Sequence, residues 1–150
     1  MPRLVLLATA ALLVACSEAT NGTGLISQKI GEAAREPGAR EVNIAKFTTF
    51  GWDRFYFFPA GTPRDEICKF IGANRNQCGR IIRYTEVPAE ANTLVFALGS
   101  QLTHTELHAL ANGRFDVAPG PDGIAKEAAV FRVSKNSTGN GQDAIVLQPR

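Results

Sequence analysis

Five short strand patterns fill the second half of this 150-residue chain, and nothing else in it limits the fold as much. They cover residues 80–85, 93–98, 102–110, 126–133 and 143–148. Each is a short run enriched in Val, Ile, Leu, Thr or Phe, and turn-forming residues separate them. Gly99-Ser100-Gln101 is short enough to close a hairpin. Residues 118–123 (APGPDG) and 136–141 (NSTGNG) read as loops. Consecutive short strands joined by turns pair antiparallel. The expected class is α+β: an antiparallel sheet in a single domain, with two short helices on one face.

The helices come from the first half. Residues 25–35 carry Leu25, Ile26, Ile30, Ala33 and Ala34 at helical spacing, and Pro37-Gly38 ends them. Residues 41–50 place Val42, Ile44, Phe47 and Phe50 beside Thr48 and Thr49, which predicts a strand or extended segment. Gly51-Trp52 breaks it. Residues 54–58, RFYFF, predict a strand covered on both faces. A second helix follows. Thr62 is placed as its N-cap and Pro63 as its first residue, with Asp65 and Glu66 at the positive end of its dipole. Ile67, Phe70 and Ile71 form its buried stripe, and Gly72 stops it.

Residues 1–16 are of a different kind. Arg3 precedes residues 4–15, which are apolar except for Thr9, and Cys16 follows. One charge, a short apolar run and small residues read as an export signal. The run is too short to cross a hydrocarbon core of about 30 Å. An ordinary signal cut after Ala8 or Ala10 is the alternative. Residues 13–16, Leu-Val-Ala-Cys, resemble the lipobox of bacterial lipoproteins. That resemblance implies removal of residues 1–15, acylation of Cys16 and attachment to a membrane through the lipid. The family carries three acyl chains, enough for stable anchoring. Its sorting rule, with Ser17 rather than Asp after the cysteine, leans towards the outer membrane facing the periplasm.

Residues 16–24 then form a small, polar, lipidated tether, and residues 25–150 a single domain. Losing residues 1–15 removes one charge, Arg3, so the formal net charge falls from +2 to +1. A near-neutral surface has no electrostatic footprint for nucleic acid. With Cys16 assigned to lipid, Cys68 and Cys78 remain of the three cysteines. An oxidising compartment favours a disulfide between them. Two free thiols, one in a helix and one in a loop, are the alternative.

Residues 50–72, FGWDRFYFFPAGTPRDEICKFIG, resemble a group of small uncharacterised bacterial lipoproteins. In that group a Trp-Asp pair opens a strand ending in Phe-x-Pro-Tyr-Thr. Here Ala60-Gly61 stand where the pattern has Pro-Tyr or Tyr-Thr. The resemblance implies a fold and an address but no activity.

Few residues carry chemistry. Trp52-Asp53 could be an exposed aromatic anchor beside a carboxylate, suited to a partner surface. The favoured reading is a core tryptophan with Asp53 capping a turn or pairing with an arginine, because the segment sits between two apolar strands. His104, Glu106 and His108 sit at i, i+2 and i+4 of a strand and share a face. They span about 13 Å, too far for one ion to hold all three, and no fourth ligand is visible, so no metal is expected. The expected reading is a solvated sheet face, with Leu107 and Ala109 inward. Arg83 and Glu106 on that face join Trp52 and Asp53 as candidate partner contacts.

The chain has no phosphate-binding loop and no G-x-S-x-G elbow, and no catalytic residue or cofactor is assigned. The expectation is a membrane-anchored envelope lipoprotein acting as a non-catalytic binding or structural module for a protein or cell-wall partner. An inhibitor of a cell-wall hydrolase such as lysozyme is a second reading. An enzyme whose site is assembled only in three dimensions is a third.

Overall fold

The computed structural model describes residues 24–139 and 143–150. The expected signal segment, Cys16 and the expected tether up to residue 23 lie outside the described residues, as do residues 140–142 of the Gly-rich segment. The fold is α+β, a single domain with predominantly antiparallel pairing. Its helices are α1 (Leu25–Arg35), α2 (Arg64–Ile71) and α3 (Arg75–Ile81). Its strands are β1 (Glu41–Asn43), β2 (Arg54–Phe58), β3 (Ala91–Leu98), β4 (Gln101–Ala109), β5 (Arg114–Phe115), β6 (Ile124–Ala125), β7 (Val130–Ser137) and β8 (Asp143–Pro149). Short 3-10 turns lie at Ile44–Phe47, Leu110–Asn112 and Lys126–Ala128.

The strands form two four-stranded sheets rather than one. The first has the order β4-β3-β2-β6 and is antiparallel throughout. The second has the order β1-β7-β8-β5, antiparallel except for the parallel β5–β8 pair. The first sheet is the middle layer, and β2 shows why. Phe55 and Phe57 join a cluster with Ile26 and Ile30 of α1 and with Phe131 and Leu147 of the second sheet. Tyr56 and Phe58 join another, with Ile67 and Cys68 of α2, Cys78 of α3 and Ile82 just beyond it. In β3, Leu94 and Phe96 face the first cluster, and Val95 and Ala97 the second. Strands buried on both faces read as continuous apolar runs. The expectation of helices on one face and water on the other is therefore corrected: α2 and α3 cover one face, and α1 with the second sheet covers the other.

Phe55 is the hub of the larger cluster. Its ring lies 5.8 Å from Phe96, 6.1 Å from each of Trp52, Phe115 and Phe131, and 6.4 Å from Phe57. A fully buried phenylalanine stabilises a fold by about 1.5–3 kcal/mol through area alone. Offset and edge-on ring pairs add about 0.5–1.5 kcal/mol each.

Local grammar explains most element ends. The second helix begins one residue later than expected. Pro63 is its N-cap, and Thr62 instead donates its hydroxyl to Pro59 O at 2.7 Å, closing the preceding turn. Gly72 ends it as expected. The strand expected at 41–50 stops at Asn43, whose side chain accepts from Ala45 N at 3.0 Å and starts a 3-10 turn. The strand expected at 80–85 is replaced by α3 and a loop. Asn74 caps α3 by accepting from Asn76 N at 3.0 Å, so Ile81 closes a helix and Ile82 is its C-cap. Strand β7 begins at Val130 because residues 126–128 turn first.

Cys68 and Cys78 form a disulfide with Cα atoms 5.8 Å apart. Cys78 is on α3 rather than in a loop, so the bridge ties α2 to α3. Both cysteines are buried against the middle sheet.

Candidate functional site

The Trp-Asp corner is structural. Trp52 is 3% exposed. Its indole N–H donates to Thr48 Oγ1 at 2.8 Å, and its ring meets Phe96 edge-on at 5.2 Å. Lys126 Nζ stands 5.3 Å from the ring centroid and covers its remaining face. Asp53 Oδ2 accepts from Gly99 N at 2.9 Å, and the Arg54 guanidinium donates to Gly99 O. Together they clamp the β3–β4 hairpin turn. Trp52 lies in the core, as the favoured reading of the pair has it, and the less favoured reading of Trp52 as an exposed partner contact is corrected.

Strand β4 does place His104, Glu106 and His108 on one face, and α1 covers Glu106 and His108, whereas His104 stays 37% exposed with its ring 4.6 Å from Phe50. The covering is a set of specific bonds. The first turn of α1 has no side-chain cap of its own, because Gly24 occupies the N-cap. Gly24 N donates to Leu107 O at 3.0 Å, and Glu106 Oε1 accepts from Ser27 N at 2.7 Å. A carboxylate from a distant strand thus caps the positive end of the helix. Gly24 is needed for this approach, since a Cβ there would lie 2.2 Å from the Glu106 carboxyl carbon. The other Glu106 oxygen meets His104 Nε2 at 3.2 Å, and the Glu106 side chain is only 9% exposed. Glu106 as a free partner contact is corrected for this reason. Arg83 is exposed, in the loop after α3.

His108 is fully buried. Its Nε2 donates to Gly113 O at 2.6 Å, which leaves Nδ1 to accept from Ser27 Oγ at 2.9 Å. Ser27 Oγ accepts in turn from Ala109 N at 3.2 Å and Asn112 Nδ2 at 3.1 Å. Burial pushes the imidazole's pKa below its ordinary value, against weaker opposing pulls from the Gly113 carbonyl and Glu106. A serine beside a histidine resembles a nucleophile and its base. Here both groups are fully buried and every polar atom of the pair is already bonded, so the pair fastens α1 to β4. Among the described residues no group of three His, Cys, Asp or Glu side chains is arranged to hold a metal.

The described residues form a concave site large enough for a ligand. It is a cleft of about 750 Å³ where the C-terminal end of α1 meets β5, β7 and β8. Ligand pockets commonly fall between about 300 and 1,000 Å³. Leu110, Ala144, Ile145 and Val146 supply its apolar lining, and Arg35, Arg114, Lys135 and Asp143 its charges. Two cations are fixed from behind. Arg35 donates to Ala111 O at 2.8 Å and Asn112 Oδ1 at 2.9 Å, and Lys135 donates to Glu36 O at 3.1 Å. Gly31 makes the path of Arg35 possible: a Cβ there would lie 2.8 Å from Arg35 Nη1 and 2.3 Å from Asn112 Oδ1.

Sequence reasoning missed this cleft. Its charged residues come from four separate elements, and no local pattern links them. Comparison with family models, with curated proteins and with solved structures gives no match.

Proposed function

We propose that this chain is a non-catalytic binding module held on the bacterial cell envelope by a lipid on Cys16, favouring the outer membrane on its periplasmic side. The carrying observation is the cysteine assignment. The chain has three cysteines, and the Cys68–Cys78 bridge uses two, which leaves Cys16 at the end of the Leu-Val-Ala-Cys tetrad. A buried disulfide fits an oxidising compartment. The described domain begins at Gly24, so residues 17–23 supply a short polar link from the lipid to α1. A cleft of ligand size, lined with fixed cations, suits a domain that holds a partner rather than transforms one. The resemblance of residues 50–72 to small envelope lipoproteins points the same way.

Cys16→Ser should move the protein from the membrane pellet to the soluble periplasmic fraction and abolish incorporation of labelled palmitate. A Cys16→Ser protein that still sediments with membranes after a high-salt wash would exclude lipid on Cys16 as the anchor.

A further inference from the structure

We infer that the cleft at the end of α1 binds a short peptide with a free carboxylate and a free ammonium group. The inference rests on the reading of the chain as a binding module and names the ligand class that its cleft would take.

The first observation is that opposite charges line one cleft without neutralising each other. Arg35, Arg114, Lys135 and Asp143 all border it. Among the described residues, no ion pair within 4.0 Å joins Asp143 to any of the three cations. Arg114 has no hydrogen-bond or ion-pair partner for its guanidinium among them either. An arginine offers a planar fork of donors that matches a carboxylate with two parallel bonds. Asp143 offers an acceptor for an ammonium.

The second observation is pre-organisation. Arg35 uses one terminal nitrogen on Ala111 O and Asn112, and Lys135 is held by Glu36 O. Each keeps further N–H groups for a ligand. A site whose cations are already fixed loses less side-chain entropy on binding. The third observation is the lining between the charges. Leu110 is 38% exposed and Ile145 is apolar, so the body of the ligand needs no charge of its own. A doubly charged phosphate suits the cleft poorly, because Asp143 would repel it and the apolar lining would stay unused.

The test uses the full chain, purified in detergent, and trialanine as the probe. Trialanine should shift the amide resonances of residues 110–114 and 143–146 and leave those around α2 and α3 unmoved. Arg114→Gln and Asp143→Asn should each weaken binding about tenfold. Both lie outside the core clusters, so the variants should keep the native melting temperature. Trialanine amidated at its C-terminus, or acetylated at its N-terminus, should bind about tenfold more weakly as well. No shift at millimolar trialanine would overturn the inference, and so would equal binding of the blocked peptides. Inorganic phosphate that moves the same amides more strongly, and more strongly still in Asp143→Asn, would make the cleft a plain anion site and also overturn it. Membrane fractionation reads the Cys16 anchor separately, so a failure at the cleft is distinguishable from a failure of the anchored-module reading.

Discussion

Charge reversal separates Glu106 from Arg83, two residues that look alike in the sequence. Glu106 caps α1 through Ser27 N, contacts His104 and is almost fully enclosed. Glu106→Lys puts a cation against the positive end of a helix and leaves a donor without its acceptor. We expect a loss of about 2–3 kcal/mol, read as a lower urea midpoint. Arg83 is exposed, and Arg83→Glu should stay within about 0.5 kcal/mol of the parent. Equal midpoints for the two variants would show that the cap carries no stability. The role of Glu106 was not legible because its partner lies 79 residues away in the chain. The i, i+2, i+4 pattern does put His104, Glu106 and His108 on one face. It does not say that a helix from the other end of the sequence covers Glu106 and His108.

At the scale of elements, the informative contrast is α2 against α3. Helix α2 announces itself through Asp65, Glu66 and Gly72, and its start is misplaced by only one residue. Helix α3 is seven residues long, and Ile81 and Ile82 at its end give it the look of a strand. Its one local signal was Asn74, a good cap residue. The remaining reason it forms is tertiary: Cys78 is bound to Cys68 and packed on the middle sheet. The short strands β1, β5 and β6 lie below any periodicity signal; β1 and β5 are the edges of the second sheet, which cannot be inferred without them, and β6 is an edge of the first. Strands β2, β3, β4 and β8 were legible because their apolar runs and turns are local. The bridge should matter most to the α2–α3 pair. Replacing Cys68 and Cys78 by Ala should cost about 2–3 kcal/mol for so short a loop. It should also raise amide exchange in α2 and α3 before it does so in β7 and β8. Uniform loss of protection would place the bridge's effect on the whole fold instead.

The whole molecule has a middle sheet wrapped on both sides, and one titratable side chain sits at a seam between its layers. His108 joins β4 to α1 and to the turn before β5, and burial holds it neutral. The unfolded imidazole titrates at about 6.5. Above that value both states are neutral and the full stability is present. Below it the unfolded chain takes up a proton that the folded chain refuses, so stability falls as the pH drops. The slope approaches about 1.4 kcal/mol per pH unit until the folded-state value is passed. The melting temperature should therefore fall between about pH 7 and about pH 5, and His108→Gln should flatten that fall. A parent curve no steeper than that of His108→Gln would remove His108 from the acid response.

The seam at Gly24 also has a mechanical side. Tension on the chain ahead of Gly24 would enter the fold through the first turn of α1. Three contacts there stand in the line of pull: Gly24 N to Leu107 O, Ser27 N to Glu106, and Ser27 Oγ to His108. Ile26 and Ile30 behind them are packed into the larger core. The hydrophobic seat of α1 and its polar lock are loaded in series with the chain ahead of Gly24, before either sheet. Under strain the first part to yield would be this helix, and both sheets could stay paired while it gave way.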